Sequence, residues 1–335
     1  MIIENNNINI KISKLAVLTS GGDAPGMNAA IRSVARSCSH YGIQCFGVSR
    51  GYQGLIEGKI KPLGTRSVKN ILNKGGTILK SARSKEFMTK EGRLKAHETL
   101  KNQEINNLVV IGGDGSFTGG YIFEKEFGVS VVGIPGTIDN DIFGTDSTVG
   151  YDTALNTVVE AIDKIRDTAI SHNRLFFVEV MGKDAGHIAL NTGIGIGASE
   201  ILIPEKDKGL DKLLKSLKRS KKSGRLSSIV VVAEGDKTGK NVFELAQYVE
   251  ENLPDYEVRV SVLGHMQRGG SPTCFDRVLA SRLGLKAVET IASGVSSQMV
   301  GIINGKMALT PLRKAIKGET SINPEMYRLS NILRL

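Results

Sequence analysis

The sequence predicts an α/β protein of doubly wound domains with largely parallel sheets. Short runs of β-branched and other apolar residues recur along the chain, and helical patterns lie between many of them. Continuous apolar strands that alternate with amphipathic helices are typical of a parallel sheet covered on both faces. At 335 residues the chain is too long for most single hydrophobic cores, so we expect two domains of ordinary size.

The predicted strands cover residues 15–18, 108–111, 129–134, 175–180, 229–233, 258–263 and 299–303. Apolar residues at helical spacing predict helices between them. One helix includes Met27 and stops near Gly42, and another includes Leu155 and Ile165. Residues 207–224 carry leucines on one face and many lysines elsewhere. This pattern favours a surface helix with a solvated basic face over an anion or effector site.

Composition places the chain among ordinary globular proteins, with 40% hydrophobic and 23% charged residues. A formal net charge of +10 would attract polyanions such as nucleic acid. Aromatic residues make up only 5% and tryptophan is absent, so surfaces that stack bases are not expected. A basic enzyme that handles phosphorylated metabolites accounts for the same charge.

Cysteine spacing and hydropathy favour a cytoplasmic protein. Cys38, Cys45 and Cys274 form no CxxC or Cys/His pattern, so we expect neither disulfides nor a zinc site. The Asn-rich residues 1–13 contain no signal-peptide core and are predicted to be a tail that leads into the first strand. No apolar run approaches the roughly 18 to 20 residues that a membrane span needs.

The turns that follow the strands are where chemistry is expected, because such sheets bind ligands at the carboxyl ends of their strands. Residues 20–23, Ser-Gly-Gly-Asp, end the first strand, and Pro25 suits the start of the next helix. Paired glycines let backbone N–H groups approach a phosphate, and the amino end of a helix favours negative charge. One such turn is weak support, because strand-to-helix turns also use glycine for geometry alone.

Two further turns carry carboxylates. Residues 112–116, Gly-Gly-Asp-Gly-Ser, follow a second strand, and one carboxylate there suits Mg²⁺ that is held mainly by ATP phosphates. Residues 135–141, Pro-Gly-Thr-Ile-Asp-Asn-Asp, are more informative. If they are extended, Thr137, Asp139 and Asp141 point the same way. Two carboxylates then converge on a volume that a metal or a substrate hydroxyl would occupy.

Basic residues complete the candidate site, because guanidinium groups match a phosphate bidentately. The candidates are Arg83, Arg174, Arg259, His265 and Arg268. Taken one at a time, each is more often a surface charge or an ion-pair partner. Only their proximity in the folded protein would distinguish the two roles.

Read together, these segments closely resemble the ATP-dependent 6-phosphofructokinases of bacteria. The resemblance runs from Lys14 to about Lys317 and depends on several long motifs in the family's order. The motifs are LTSGGDAPGMNAAIR, GGDGS, PGTIDND, VVEAIDKIRDT, VEVMG and VLGHMQRGG.

The resemblance implies the phosphofructokinase fold, with two similar domains, and a homotetramer. The larger, ATP-binding domain would comprise residues 1–150 and about 267–317. The smaller domain, which would bind fructose 6-phosphate, would comprise residues 151–266 and about 318–335.

Catalytic roles follow from the same motifs. The resemblance implies that Asp139 is the general base for the sugar 1-hydroxyl and that Thr137 orients the transferring phosphoryl group. Gly22 and Arg83 would stabilise that group. In such a loose transition state, positioning and charge neutralisation supply most of the catalysis.

The implied ligand sets are larger. Mg²⁺ would be held near Asp114, with Asp141 nearby. The residues implied for ATP are Gly22, Tyr52, Arg83, Ser84, Phe87, Gly113, Asp114, Gly115 and Ser116. Those implied for fructose 6-phosphate are Thr137, Ile138, Asp139, Arg174, Met181, Gly182, Lys183, Glu234, Arg259, His265, Met266, Gln267 and Arg268. Arg174 and Arg259 would reach in from a neighbouring subunit, so the active site would require the oligomer.

Two small residues indicate the phosphoryl donor. Relatives that use pyrophosphate carry Asp at the position of Gly115 and Lys at the position of Gly136. Those larger side chains fill the space of the ATP α-phosphate. Glycine at both positions therefore favours ATP over pyrophosphate.

Some positions depart from the family's pattern. Lys183 stands where relatives usually have Arg, and Ser84 and Met88 replace residues that often contact the nucleotide. The implied effector ligands are Arg32, Arg36, Arg166 and Arg225. Thr65 and Ser199 occupy positions where allosteric relatives have Arg and Glu. We therefore expect regulation by ADP and phosphoenolpyruvate to be weak or absent.

Other functions fit the motifs less well. NAD kinases and lipid kinases also carry a GGDG turn, but they need neither PGTIDND nor GHMQRGG. A non-catalytic relative that binds sugar phosphate and regulates a partner would be expected to lack the base, yet Asp139 is present. A pyrophosphate-dependent enzyme and a basic nucleic-acid binder are the remaining alternatives.

Overall fold

A computed structural model describes residues 10–172, 174–206, 209–222 and 228–333. The chain divides into two compact units. The first comprises Met1–Thr137, Ile142–Gly150 and Arg268–Glu319, and the second comprises Ile138–Asp141, Tyr151–Gln267 and Thr320–Leu335. Each unit has its own sheet and its own hydrophobic core.

The strands are β1 (Lys14–Thr19), β2 (Gln44–Val48), β3 (Ile60–Pro62), β4 (Asn107–Gly112), β5 (Ser130–Pro135), β6 (Arg174–Val180), β7 (Glu200–Leu202), β8 (Ser228–Ala233), β9 (Glu257–Val262), β10 (Gln298–Ile303) and β11 (Lys306–Pro311). The helices are α1 (Met27–His40), α2 (Gly51–Ile56), α3 (Lys90–Asn102), α4 (Asp114–Phe127), α5 (Tyr151–His172), α6 (His187–Gly195), α7 (Leu210–Lys222), α8 (Val242–Asn252), α9 (Cys274–Ala292), α10 (Leu312–Lys317) and α11 (Pro324–Leu333). Short 3₁₀ helices span Glu86–Met88 and Gly264–Arg268. None of the helices described here has the length and apolar character of a membrane span.

The first unit contains a seven-stranded sheet in the order β11-β10-β5-β4-β1-β2-β3. The strands from β10 to β2 are parallel, and only the edge strands β11 and β3 pair antiparallel. The central strand β4 is buried almost throughout because its sequence, NLVVIG, is apolar on both faces. The strand order reverses direction between β4 and β1, which makes that junction the switch point at which doubly wound sheets bind ligands.

The second unit contains a four-stranded, fully parallel sheet in the order β7-β8-β6-β9. Its core is formed by the apolar faces of β6 and β8 together with leucines and valines of α7 and α8. In α8, Asn241 accepts hydrogen bonds from two backbone N–H groups, and the Glu244 carboxylate accepts one from the Asn241 N–H. This capping box fixes where the helix begins.

The fold agrees with the predicted class of doubly wound, largely parallel α/β domains. Each predicted strand is present, and α1 ends before Gly42 as expected. Pro25 is not at the first helical position, because α1 begins only at Met27, after Gly26 in a left-handed conformation with φ 108°. The basic helix α7 covers most of the predicted span, and its side chains Lys212, Lys215, Lys218, Arg219 and Lys222 are exposed. Residues 1–9 of the predicted tail lie outside the described part of the chain.

Candidate active site

Three predicted turns begin side by side at one edge of the first unit's sheet, and the last residues of the third, Ile138–Asp141, belong to the second unit. They follow β1, β4 and β5, which are parallel neighbours. The Ser20 N–H donates to the carbonyl oxygen of Ile111 at 2.9 Å, and the Gly136 N–H donates to that of Gly112 at 3.0 Å. The sheet therefore continues into the turns and holds them in register at its carboxyl edge, next to the switch point.

Glycine is required where these turns approach each other most closely. A Cβ atom on Gly112 would lie 2.5 Å from the carbonyl oxygen of Ser20. One on Gly22 would lie 2.4 Å from Nη1 of Arg268, which donates to the Asp23 carbonyl oxygen at 3.2 Å. The Gly22 backbone and the Arg268 guanidinium are thus in direct contact, which brings together a predicted catalytic residue and a predicted sugar-phosphate ligand.

A cleft of about 400 Å³ opens beside the turn after β1. Its lining residues are Gly21, Gly22, Asp23, Thr77, Lys80, Ser81, Ala82 and Arg83. The predicted pair Gly22 and Arg83 therefore lines one cavity. The Ser81 hydroxyl donates to the carbonyl oxygen of Gly21 and ties the two walls together. Sequence reasoning named only Arg83 from this second wall, because no motif identifies Ser81.

The turn after β4 begins α4. Gly113 is the N-cap residue, and Asp114, Gly115 and Ser116 form the first helical turn, with Asp114 and Gly115 exposed. A helix amino terminus directs backbone N–H groups and partial positive charge toward an anion. No heavy atom lies within 4 Å of the position that a Cβ on Gly115 would take. The Gly115 position therefore faces open space at this end of the helix.

Tyr52 and Phe87 form a stacked aromatic pair near α4. Their ring centroids are 4.0 Å apart with an interplanar angle of 15°, and both side chains are largely buried. The Tyr52 hydroxyl donates to the carbonyl oxygen of Ser116 at 2.6 Å, and burial raises the pKa of Tyr52. The Ser84 hydroxyl accepts from the Phe87 N–H at 3.1 Å and donates to Gln53 at 2.7 Å. Ser84 thus stabilises the turn that carries Phe87.

Arg93 stabilises the turn that carries Phe87. Its Nε and Nη2 groups donate to the Glu126 carboxylate at 2.6 and 2.8 Å. Its Nη1 donates to the carbonyl oxygens of Phe87 and Met88 at 3.0 and 2.8 Å. This bidentate pair lowers the pKa of Glu126. Arg93 and Glu126 lie in no recognisable motif, so sequence reasoning missed them.

The segment after β5 is not the extended strand on which the predicted alternation of side chains depended. The chain bends at Ile138 and Asp139, and Asn140 is left-handed with φ 53°. Thr137 and Asp139 are each 8% exposed, and the Ile138 side chain is completely buried. The Thr148 hydroxyl donates to the carbonyl oxygen of Thr137 at 2.5 Å and fixes the start of the bend. Successive residues are therefore held by packing rather than by strand geometry.

The two acidic residues predicted to hold Mg²⁺ lie one in each unit. The Asp114 carboxylate is exposed at the start of α4, where Oδ1 accepts from the Gly115 N–H at 2.7 Å, and Asp141 is half-buried in the loop after β5. The described residues contain no group of three or more His, Cys, Asp or Glu side chains that could hold a metal ion. One or two carboxylates are what proteins usually offer to Mg²⁺ bound by nucleotide phosphates.

In the second unit, predicted ligands lie at the carboxyl ends of β6 and β8. Oε1 of Glu234 accepts from the N–H groups of Gly182 and Lys183 at 3.2 and 2.6 Å. Oε1 of Gln267 accepts from the Met181 N–H at 3.2 Å. Burial, and then the Glu234 carboxylate, raise the pKa of Glu179 on β6. The structure thus joins three of the predicted sugar-phosphate segments of this unit.

The remaining predicted ligands of this unit lie on β6, on β9 and in the 3₁₀ helix. Arg174 and Arg259 both pair with the Glu257 carboxylate, Arg174 at 3.1 Å. That shared carboxylate brings the two arginines together, and no sequence signal had identified it. His265 and Met266 are exposed, whereas Gln267 is completely buried.

The predicted effector residues fall in both units. Arg32 and Arg36 lie one turn apart on α1, and Arg36 is exposed. Arg166 on α5 donates to the carbonyl oxygen of Ile196. Arg225 lies outside the described residues.

Comparison with known proteins gives consistent results. A family model described as Phosphofructokinase matches residues 14–291. The ATP-dependent 6-phosphofructokinase 2 of Bacteroides thetaiotaomicron is 52% identical over 94% of this chain and 96% of its own length. The ATP-dependent 6-phosphofructokinase 1 of Thermus thermophilus is 52% identical over 97% of this chain and 100% of its own length.

Solved structures agree in fold. Phosphofructokinase from Saccharomyces cerevisiae superposes with a TM-score of 0.86 at 37% identity. The match covers 96% of this chain and 48% of the yeast chain, so the chain spans about half the length of that relative. Pyrophosphate-dependent phosphofructokinase from Marinobacter aquaeolei superposes with a TM-score of 0.82 over 96% of this chain and 91% of its own. At 20% identity, that likeness concerns the fold alone.

Proposed function

The chain belongs to the phosphofructokinase family, and we propose that it transfers the γ-phosphoryl group of Mg-ATP to the 1-hydroxyl of fructose 6-phosphate. The products are fructose 1,6-bisphosphate and ADP, so the enzyme is an ATP-dependent 6-phosphofructokinase of glycolysis. The observation that carries the proposal is that the turns after β1 and β4 and the start of the turn after β5, as far as Thr137, meet at one sheet edge of the first unit. The curated relatives, at 52% identity over almost the whole chain, support the same activity.

Asp139 acts as the general base. As the 1-hydroxyl oxygen forms its bond to the γ-phosphorus, the carboxylate takes the hydroxyl proton. The bond between the γ-phosphorus and the β,γ-bridging oxygen breaks, and its electron pair leaves with ADP. Thr137 orients the reacting group two residues before the base. Its position is supported by the 2.5 Å bond that Thr148 donates to its carbonyl oxygen.

Charge on the transferring phosphoryl group is balanced by the backbone at Gly22 and by Arg83, which line one cleft. The α4 amino terminus, from Gly113 to Ser116, holds the phosphate chain of ATP. Asp114 and Asp141 would hold the Mg²⁺ that binds with the nucleotide, and the metal would supply charge neutralisation for the phosphates. The aromatic pair of Tyr52 and Phe87 supports the nucleotide pocket from within the core.

Fructose 6-phosphate is held by the segments around 181–183, Glu234 and 265–268. Arg174 and Arg259 reach into the site of a neighbouring subunit, so the active form is a homotetramer with shared sites. We place the enzyme in the cytoplasm, with no nucleic-acid or membrane partner. Regulation by ADP or phosphoenolpyruvate is weak or absent, and initial rates at subsaturating sugar phosphate with each effector test this point.

Pyrophosphate is the main rival donor, and the geometry at two glycines argues against it. A Cβ on Gly136 would lie 3.0 Å from Cγ2 of Ile111 and 3.2 Å from Cε of Met27, so a lysine there needs its neighbours to shift. Gly115 has open space around its missing side chain. That space accommodates the α-phosphate of ATP, which pyrophosphate lacks.

The test compares the two donors with fructose 6-phosphate in one coupled assay. We expect activity with Mg-ATP and none with Mg-pyrophosphate. A preparation of Asp139→Asn, purified in parallel, corrects for contaminating host enzyme. Robust activity with pyrophosphate and none with ATP would overturn the proposal. A matched variant, Gly115→Asp, should raise the KM for ATP, because its carboxylate enters the space of the α-phosphate.

A further inference from the structure

The side chain of Gln267 joins two segments of the second unit and is sealed from solvent. It is completely buried. Its Oε1 accepts from the Met181 N–H at 3.2 Å, and its Nε2 donates to the carbonyl oxygen of Gly264 at 3.1 Å. The reverse orientation of the amide would place its NH₂ group against an N–H and its oxygen against a carbonyl. Only one orientation satisfies both neighbours.

Gln267 accepts a hydrogen bond from the first residue of the turn at 181–183. The backbone dihedral angles of this turn are unfavourable. Gly182 has φ 145° and Lys183, which has a Cβ atom, has φ 56°. Left-handed residues other than glycine persist where their surroundings hold them. Here Glu234 accepts from the N–H groups of Gly182 and Lys183, and Gln267 accepts from that of Met181. Two side chains therefore fix three successive N–H groups of the turn.

Close packing reinforces this hold. A Cβ on Gly235 would lie 2.2 Å from the carbonyl oxygen of Lys183, and one on Gly182 would lie 2.4 Å from that of Ala185. The turn has no room to relax toward another conformation on those sides. At the start of the turn, the Met181 N–H donates to the Gln267 amide oxygen. Loss of the amide would free the first residue of the turn while the rest stays in place.

We propose that Gln267 is a positioning residue for the sugar phosphate and not a ligand of it. This inference rests on the proposed function, in which both Met181 and the 3₁₀ helix that contains His265 contact fructose 6-phosphate. A completely buried amide has no surface to offer a ligand. It acts instead through the backbone, by setting the position of the 181–183 turn relative to the 3₁₀ helix from Gly264 to Arg268. The phosphate ligand Arg268 follows it directly in the chain.

The main variant is Gln267→Met, which keeps the length and packing of the side chain and removes both hydrogen bonds. We expect the KM for fructose 6-phosphate to rise by about tenfold, because small misplacements of binding groups are costly in organised sites. The KM for ATP should stay at its wild-type value, because the nucleotide site does not use this bridge. The matched control is Gln247→Met on α8, where the amide donates to Glu251 at the surface. Its kinetics should be those of the wild type.

A second variant covers the case in which the methionine protein fails to fold. Gln267→Glu keeps an acceptor for the Met181 N–H but places an oxygen against the Gly264 carbonyl group. It should raise the KM for fructose 6-phosphate while leaving that for ATP unchanged. An unchanged KM for the sugar in either folded variant, or equal increases for both substrates, would overturn the inference.

Amide hydrogen exchange separates this inference from the proposed function. In the substrate-free protein, Gln267→Met should accelerate exchange at Met181 by about tenfold or more, because that N–H loses its acceptor. Exchange on β8 should be unchanged. If the wild-type enzyme failed to phosphorylate fructose 6-phosphate, the proposed function would fall while this measurement still tested the bridge. Unaltered exchange at Met181 would contradict the bridge whatever the activity.

Discussion

Replacing Gly22 with alanine should reduce activity with little loss of stability. A Cβ at this position would lie 2.4 Å from Nη1 and 3.0 Å from Cζ of Arg268. Ordinary contacts between heavy atoms are about 3.5 Å or longer, so the guanidinium must move by roughly 1 Å. Its 3.2 Å hydrogen bond to the Asp23 carbonyl oxygen is then lost or rebuilt. Gly22 is not left-handed, so alanine adds no backbone strain.

A displacement of about 1 Å can lower the rate of an organised site by about 10²-fold. We expect kcat/KM for fructose 6-phosphate to fall by about that factor, mainly through the KM of the sugar, because Arg268 is the proposed phosphate ligand. The free energy of unfolding should change by less than about 1 kcal/mol, because the displaced group is the flexible end of a side chain. Initial rates at saturating ATP and urea denaturation measure the two effects.

The control for this prediction is Gly64→Ala. No heavy atom lies within 4 Å of a Cβ on Gly64, and its backbone is not left-handed. Its kinetics and stability should match the wild type. Wild-type kcat/KM in Gly22→Ala would refute the reasoning. So would a large loss of stability without a change in kinetics, because the contact would then serve folding and not the substrate.

Three other predictions concern single side chains. Asp139→Asn should lower kcat by about 10² to 10⁴-fold with both KM values nearly unchanged, because a general base acts in the transition state. Steady-state rates check this, and a large rise in KM with normal kcat would contradict it. Glu179 has a raised pKa from burial and from Glu234, so its ionisation opposes folding, and Glu179→Gln should raise the melting temperature near neutral pH. That gain should disappear as the pH falls toward about 4.3, the ordinary pKa of glutamate, and a gain that persisted there would argue against an ionisation effect. Arg93→Met should lower the free energy of unfolding by about 2 kcal/mol and raise the KM for ATP, because the turn that carries Phe87 loses the hydrogen bonds from Arg93. Glu126→Gln should lower the free energy of unfolding by less, and urea titration measures both variants.

Strands could be predicted from the sequence where they are buried on both faces. β4 and β8 are continuous apolar runs, and burial dictates such runs in a parallel sheet. β3 and β7 have only three residues each, too few to show a period. β11, KMALTP, is an edge strand that is partly exposed, so its composition is mixed. β2, QCFGV, was also missed although four of its five residues are buried, because its apolar run is short and interrupted by a glycine. The missed strands are therefore short, interrupted or only partly buried.

Some parts of the candidate site could likewise be predicted from the sequence, and others could not. The turns after β1, β4 and β5 were identified because the phosphate and metal chemistry expected there selects glycine and aspartate within a few residues. The Gln267 bridge joins residues 86 positions apart, and the pair of Arg93 and Glu126 joins residues 33 apart. No local pattern encodes such contacts. The left-handed Asn140 was missed for another reason, because alternation was assumed where tertiary packing imposes a bend.

Because the first unit is interrupted in sequence, its sheet stays incomplete during much of translation. β5 pairs on one side with β10, through Val132 and Gly133, but β10 begins only at Gln298. During synthesis of residues 151–267, the nascent sheet therefore presents the unsatisfied peptide groups of an apolar strand. The unpaired N–H and C=O groups of such a strand edge can pair with strands of other chains. Polypeptides truncated before β10 should therefore aggregate and depend on chaperones, whereas in the longer chain β10 pairs with this edge of β5.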